Sequence, residues 1–429
     1  MRKAYLSVIG FAFICRLNSH AQTTQDTTRK PAFSLYTPIE QTTNGGFQPK
    51  LLSIDEINLV ASYYSQNGDH SPVTGGIGTE KVTDISTGID LKMAWQLQEL
   101  HKNSLTFGFG YDHHTSASAA YVNQSGASKT GGSRIYPSLD WTTENTKTGN
   151  TFGLGAYYSG EYNYQSLGFD LHFSKKTADK NGEFSAKLQA YFDEVKLIYP
   201  SELIPTTTTT TVITSASGSS VTGGKASIPS NPRNTYSASF AWSQIINSRM
   251  QIAFLTDVVA QNGYLGLPFH RVFFNTNTSK DTVEKLPSSR YKLPIGFRLN
   301  YFLGDNIIIR SYYRYYMDSW GIKSNTASIE IPVKLTPFFS VSPFYRYYNQ
   351  TAAKYFAPYA MHSRADEYYT SNYEYAQFHA GFFGVGFRFA PPKGVLGWQN
   401  LHELEIRYGH YTQTTDLVSD VISLNLGFK

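Results

Sequence analysis

The sequence predicts an all-β fold: a single transmembrane, antiparallel, up-and-down β-barrel of about 16 strands, within a range of roughly 14 to 18. Three observations lead there. First, extended segments alternate strictly between apolar and polar residues, as in Val421–Lys429, where Ile422, Leu424, Leu426 and Phe428 share one face and Ser423, Asn425 and Gly427 the other. Second, beyond the N-terminal segment no run approaches the roughly 20 apolar residues that a spanning helix needs. Third, the connections alternate between short and long, as expected for short periplasmic turns and long outer loops. A two-faced strand repeated without intervening helices can lie in lipid only as a closed ring, because an open edge would leave backbone groups unpaired.

The elements follow in chain order. Residues 1–21 read as a signal peptide: basic Arg2 and Lys3, an apolar stretch from Ala4 to Cys15, and the small-x-small site Ser19-His20-Ala21 before Gln22. Cys15 is the single cysteine, so neither a disulfide nor a cysteine-ligated metal is expected in the exported chain. Ile14 before it argues against a lipid anchor. Residues 22–54, rich in Thr, Gln and Pro, lack the apolar mass to fold alone and read as a flexible periplasmic lead-in. Residues 55–429 form the predicted barrel domain, opening with a strand near 56–65. The next strand sets Ile85, Thr87, Ile89, Leu91 and Met93 against Asp84, Ser86, Gly88, Asp90 and Lys92. The following one sets Leu105, Phe107, Phe109 and Tyr111 against Ser104, Thr106, Gly108, Gly110 and Asp112, with the small inward residues making room for side chains from the far wall. The signal recurs near 134–142, 150–160, 165–174, 183–194, 235–243, 250–259, 290–302, 306–316, 326–335, 338–348, 377–389, 401–409 and 417–428. Predicted outer loops are 66–80, 113–133, 195–233, 260–289 and 349–376; predicted inner turns include Thr143–Asn150, Lys175–Gly182, Leu303–Asn306 and Leu335–Pro337.

Composition agrees with a wet interior inside an oily exterior. Hydrophobic residues make up 41% and aromatics 15%, with a mean hydropathy of −0.33, as a barrel with aromatic girdles should show. A soluble β-sandwich or β-solenoid would have to bury Phe107, Phe109, Tyr158, Phe169, Phe173, Trp242, Phe297, Tyr301 and Phe387 in a dry core; at a bilayer they need no partner. A net charge of +5 without a basic stripe argues against nucleic acid as a partner. Outer-membrane lipid and the barrel-assembly machinery are the expected partners, together with a polar solute or a partner protein.

Parity points Asp84, Asp90, Asp112, Asp140, Asp170, Glu183, Asp193 and Asp257 into the lumen from the first half, with few bases among them. Lys292, Arg298, Arg310, Arg314, Lys334, Arg346, Arg388 and Arg407 point inward from the second half. Opposed acidic and basic walls set up a transverse field that orients polar solutes. They predict a channel or transporter for small polar solutes. The alternative is that these charges pair across the interior as a plug, making the barrel a binding or assembly scaffold for a partner protein. Arg310-Ser311-Tyr312-Tyr313-Arg314-Tyr315-Tyr316 places arginine and tyrosine together inward, and Phe344-Tyr345-Arg346-Tyr347-Tyr348 repeats the idea, a surface on which sugar rings or anionic groups can stack. The tract Thr206–Thr211 with Ser215–Ser220 reads as a solvated outer tip. Asp420 falls on the lipid face of the last strand, tolerable only above the hydrocarbon.

Chemistry is sparse. Asp69, His70, Asp112, His113 and His114 lie in neighbouring outer loops and could hold a divalent metal, zinc or copper, although adjacent histidines in polar loops are usually solvated. No other cofactor is expected. His172 and Ser174, two apart on one strand, are similar to the arrangement in outer-membrane phospholipases, but they point into the lumen and lack a third group, so a barrel hydrolase is the lesser reading. Gly75-Gly76-Ile77-Gly78-Thr79-Glu80-Lys81 fails the spacing of a phosphate loop and reads as a glycine-shaped turn. The expectation is a protein that is not an enzyme.

The stretch from Ser62 to Asp84, containing Asn67-Gly68-Asp69-His70-Ser71-Pro72-Val73-Thr74-Gly75-Gly76, closely resembles an uncharacterised outer-membrane family, domain of unknown function 3570. Asp112-His113-His114-Thr115-Ser116-Ala117-Ser118, Ser133-Arg134-Ile135-Tyr136-Pro137-Ser138, Tyr164-Gln165-Ser166 and Ala190-Tyr191-Phe192-Asp193-Glu194-Val195-Lys196 agree with it. The resemblance implies a bacterial outer-membrane protein of the Bacteroidetes type and carries over no catalytic residue. One departure is that the terminal aromatic read by the assembly machinery is penultimate here, Phe428 before Lys429, which insertion is expected to tolerate.

Overall fold

Alternating aromatic or branched residues with small or polar ones suits a sheet whose two faces meet different solvents. The structure, a computed structural model, describes residues 47–115, 131–197 and 229–429. Its strands in chain order are β1 (Lys50–Asn67), β2 (Val82–Gln98), β3 (His101–His114), β4 (Gly132–Ile135), β5 (Ser138–Asn145), β6 (Thr151–Glu161), β7 (Tyr164–Lys176), β8 (Gly182–Lys196), β9 (Ser230–Asn247) and β10 (Met250–Gly263). Then come β11 (Arg271–Phe274), β12 (Asn277–Val283), β13 (Ser289–Leu303), β14 (Ile307–Asp318), β15 (Lys323–Glu330), β16 (Val333–Thr336), β17 (Phe339–Gln350), β18 (Phe378–Phe389), β19 (Leu401–Gln413) and β20 (Leu417–Phe428).

All but β11 and β12 belong to one antiparallel sheet, and β20 returns to pair with β1, Leu59 opposite Leu426 and Tyr63 opposite Ile422, so the sheet is a closed barrel. Two staves that the sequence shows as single strands are each broken by a proline, which cannot donate to the ladder. β4 and β5 flank Pro137, and β15 and β16 flank Pro332. Around the first break Tyr136 and Gly110 still exchange backbone hydrogen bonds. The eighteen strands of the sheet therefore make sixteen staves. β1 begins at Lys50, so the end of the expected lead-in is strand. The expected signal peptide and the Thr206–Thr211 and Ser215–Ser220 tract lie outside the described residues.

The polarity of the sheet is inverted relative to a soluble protein. Outward positions are large, apolar and exposed, among them Ile89, Phe107, Phe169, Leu171, Phe254 and Ile422. Inward positions are polar and buried, among them Asp84, Ser86, Asp112, Asp170, His172 and Ser174. Since each exposed Leu or Phe would forfeit about 1.5–3 kcal/mol in water, this arrangement is stable only where the surroundings are oil.

One end carries the tight turns. At the other, three long connections pack together: 68–81 after β1, 264–288 after β10 with the β11–β12 ribbon, and 351–377 after β17. Val73, Val272, Phe274, Trp320 and Ala376 give this cap a small dry core. Gly75 is required there, because its φ is +83° and a Cβ would stand 2.6 Å from the Phe273 ring.

Candidate functional site

The lumen wall is built by cross-strand register, which sets opposite charges beside one another. On β3, Asp112 stands opposite Arg134 of β4, whose Nη2 and Nε reach the same carboxylate oxygen at 2.7 and 2.9 Å. Beside them Asp84 lies 3.9 Å from His114 Nδ1, and Glu161 lies 3.6 Å from His114 Nε2. A second cluster centres on Asp170 of β7: Lys187 Nζ lies 3.2 Å away, His172 Nδ1 2.9 Å, and the Tyr157 hydroxyl donates to it. Asp140 stands 3.8 Å from the same imidazole. Asp193 accepts from the Tyr164 hydroxyl and lies 3.8 Å from Arg233. Lys176 stands opposite Glu183 and lies 3.7 Å from Glu144.

These contacts correct the expectation of a first half with few bases. Arg134, Lys176, Lys187 and Arg233 come with the acids on the same wall, because strands that are neighbours in space need not look complementary when read separately. In the second half Arg407 bridges Glu330 at 3.1 Å and Glu405 at 3.0 Å, Arg310 lies 3.9 Å from Glu330, and Arg388 reaches Glu403 at 2.8 Å. Arg290, which sequence reasoning missed, holds Asp318 at 2.5 Å and lies over Trp320 and Tyr375. Arg298 lies over Tyr312 and Arg346 over Phe382. Lys334 is exposed at the turn end, and Asp90 lies beside Gly108. Asp257, Lys292 and Arg314 point inward, and among the described residues none forms an ion pair.

Inward rings lie flat on the wall over glycines. A Cβ at Gly110 would meet the Tyr136 ring at 1.9 Å, one at Gly168 the Tyr191 ring at 2.5 Å, and one at Gly409 the Phe382 ring at 2.4 Å. The space over these glycines is therefore filled from nearby staves, not from the far wall as the sequence suggested. Each ring covers the place of the missing side chain.

The cap is pinned by buried polar contacts. Glu284 accepts from Leu267 N–H at 2.6 Å and from Thr370 Oγ1 at 2.7 Å, and His270 Nδ1 lies 3.2 Å away. Burial opposes its ionisation, but His270 and these donors outweigh burial and hold its pKa below the usual carboxylate range. Arg271 donates to the Val73 carbonyl at 2.6 Å, tying the second connection to the first. Glu80 is the opposite case: burial first, then Asp69, pushes its pKa up to about 7. At the end of β17, Gln350 Nε2 donates to the Glu374 and Ala376 carbonyls of the third connection at 2.8 and 2.6 Å, while Tyr375 packs on Trp320.

The five candidate metal ligands are not brought together. His113 faces outward and bonds Ser133 at 2.9 Å. His70 bonds the Gly76 carbonyl and stacks on Tyr373. Asp69 is exposed, and only Asp112 and His114 converge, joined by Asp84 rather than by loop residues. Asp140, Asp170 and His172 form the other such group among the described residues. The sequence placed His113 and His114 in a loop, whereas β3 runs through His114 and its alternation sends the two to opposite faces. His172 and Ser174 both face inward but bond elsewhere, His172 Nε2 with Thr142 Oγ1 at 3.0 Å and Ser174 with Thr151 at 2.8 Å. Asp420 does lie outward, where Tyr408 donates to it at 2.7 Å and His410 Nδ1 stands at 2.8 Å.

Fold and wall together define a closed transmembrane barrel with a polar, charge-lined interior. The chain belongs to the family described as Protein of unknown function (DUF3570), whose model matches residues 113–420. No curated protein matches it. Among solved structures it is similar to a loop L8 deletion mutant of OmpT, an outer membrane protein of Vibrio cholerae, with 10% identity, 88% of this chain and 99% of that chain covered, and a TM-score of 0.43. A bacterial polysaccharide outer membrane secretin matches at 9% identity, 87% and 98% coverage and a TM-score of 0.42. The outer membrane protein OprD from Pseudomonas aeruginosa matches at 10% identity, 88% and 94% coverage and a TM-score of 0.41.

Proposed function

We propose that this chain is an outer-membrane channel for small polar solutes, exported by a cleaved signal peptide in a Gram-negative bacterium of the Bacteroidetes type. One observation carries the reading: a closed barrel of sixteen staves whose inward rings lie flat over glycines, which favours an aqueous bore. In the closed ring the acid-bearing β2 to β8 lie across from β13 to β19. Most wall charges pair locally, so selectivity falls to the groups outside ion pairs, Asp257 opposed by Lys292 and Arg314. The protein acts without catalysis, its partners being lipid, the assembly machinery and the solute. Purified protein in a planar bilayer should give discrete conductance steps, and solute-loaded vesicles should swell; silence in both assays rejects the channel.

A second reading, a closed barrel that docks a partner protein on its loop cap, is favoured by the dry packing of three connections over the loop end. Capture of a partner by the intact barrel, with conductance absent, would select it.

A further inference from the structure

On β14, Arg314 faces the lumen between Tyr312 and Tyr316, opposite Gly296 of β13 and Thr326 of β15. Thr326 in turn stands opposite Tyr348 of β17. Arg314 Nε and Thr326 Oγ1 are both buried and have no hydrogen-bond partner among the described residues. Thr326 is only 3% exposed. Elsewhere on the wall most arginines are neutralised: Arg134 by Asp112, Arg290 by Asp318, Arg407 by Glu330 and Glu405. Among the described residues Arg314 has no carboxylate within ion-pair distance, although it acts electrostatically on Asp257.

A buried guanidinium N–H and a buried hydroxyl, on residues that face each other in register and both unused, are costly. Both are satisfied by one planar acceptor with two oxygens. The single positive charge matches a monoanion, and Tyr316 and Tyr348 stand on the same wall beside it as aromatic neighbours for a ring attached to that anion. We propose that Arg314 and Thr326 form a carboxylate-binding subsite in the lumen, taking small solutes whose carboxylate is carried on a ring. The assignment rests on the channel reading and names the solute class.

The probe is benzoate, titrated into the detergent-solubilised barrel by calorimetry, with benzamide as the neutral isostere and phenyl phosphate as the dianion. Wild-type protein should bind benzoate and not benzamide. Arg314→Gln should weaken benzoate by at least about tenfold, the loss of a charge-assisted hydrogen bond, and Thr326→Val should weaken it less. Lys147→Gln, on an exposed turn, should leave it unchanged. Heat-modifiable migration on gels checks that each variant is a folded barrel, and Arg314→Lys, which keeps the charge and loses the fork, should bind between the two. Equal binding of benzamide, tighter binding of phenyl phosphate, or unchanged affinity in Arg314→Gln overturns the proposal. Conductance without benzoate binding sinks the subsite alone; benzoate binding without conductance sinks the channel alone.

Discussion

Gly110 is a glycine because the Tyr136 ring already occupies the place its side chain would take. Gly110→Ala must therefore swing that ring off the wall and into the bore, and single-channel conductance should fall. Adding Tyr136→Ala in the same chain should restore it, whereas a merely misfolded variant would stay silent. Glu80 offers a pH signature. Its pKa is about 7 in the fold against 4.5 in an unfolded chain, so between those values the folded cap holds a proton that the open cap releases. Cap stability should fall as pH rises through that window. Protection factors for the amides of residues 68–81, exchange rates divided into the intrinsic rates at each pH, should be higher at pH 5 than at pH 7.5, and Glu80→Gln should remove most of that difference. None of this was legible in the sequence. The inward parity of Gly110 was visible, but Tyr136 covers it only because β4 is held against β3.

At the scale of the strand, alternation made most staves readable, including both ends of the closing pair, β1 and β20. It failed at Tyr136-Pro137 and Ile331-Pro332, where a missing N–H splits one stave into two short strands. It also failed at the loops, since packing of β11 against Pro72–Thr74 involves residues about two hundred positions apart. The outward face carries a direct test. Leu171 is exposed at the middle of β7, between inward Asp170 and His172. Leu171→Arg should destabilise the barrel by about 2–4 kcal/mol in lipid vesicles, measured by denaturant unfolding, whereas the same change at exposed Leu396 beyond β18 should cost little.

At the scale of the molecule, a two-faced repeat with no interior helix left one closed solution, and it is the one observed. The charge pattern was half legible. Parity identified which acids and bases face inward, but pairing depends on register. Only register shows that Arg134 neutralises Asp112 and that Lys187 neutralises Asp170, whereas Arg314 forms no ion pair among the described residues. The family match spans most of the barrel and brings no activity with it, so the account stands on its physics: apolar side chains in oil, their alternate neighbours in water. Cys15 being the sole cysteine, single cysteines can be placed along β9 in a Cys15→Ser background and challenged with a membrane-impermeant maleimide in vesicles. The account predicts labelling at the half-buried inward positions Thr235, Ser237, Ala241 and Ser243 and none at outward Tyr236, Ala238, Phe240 and Trp242. Labelling of the second set, or of neither, would contradict it.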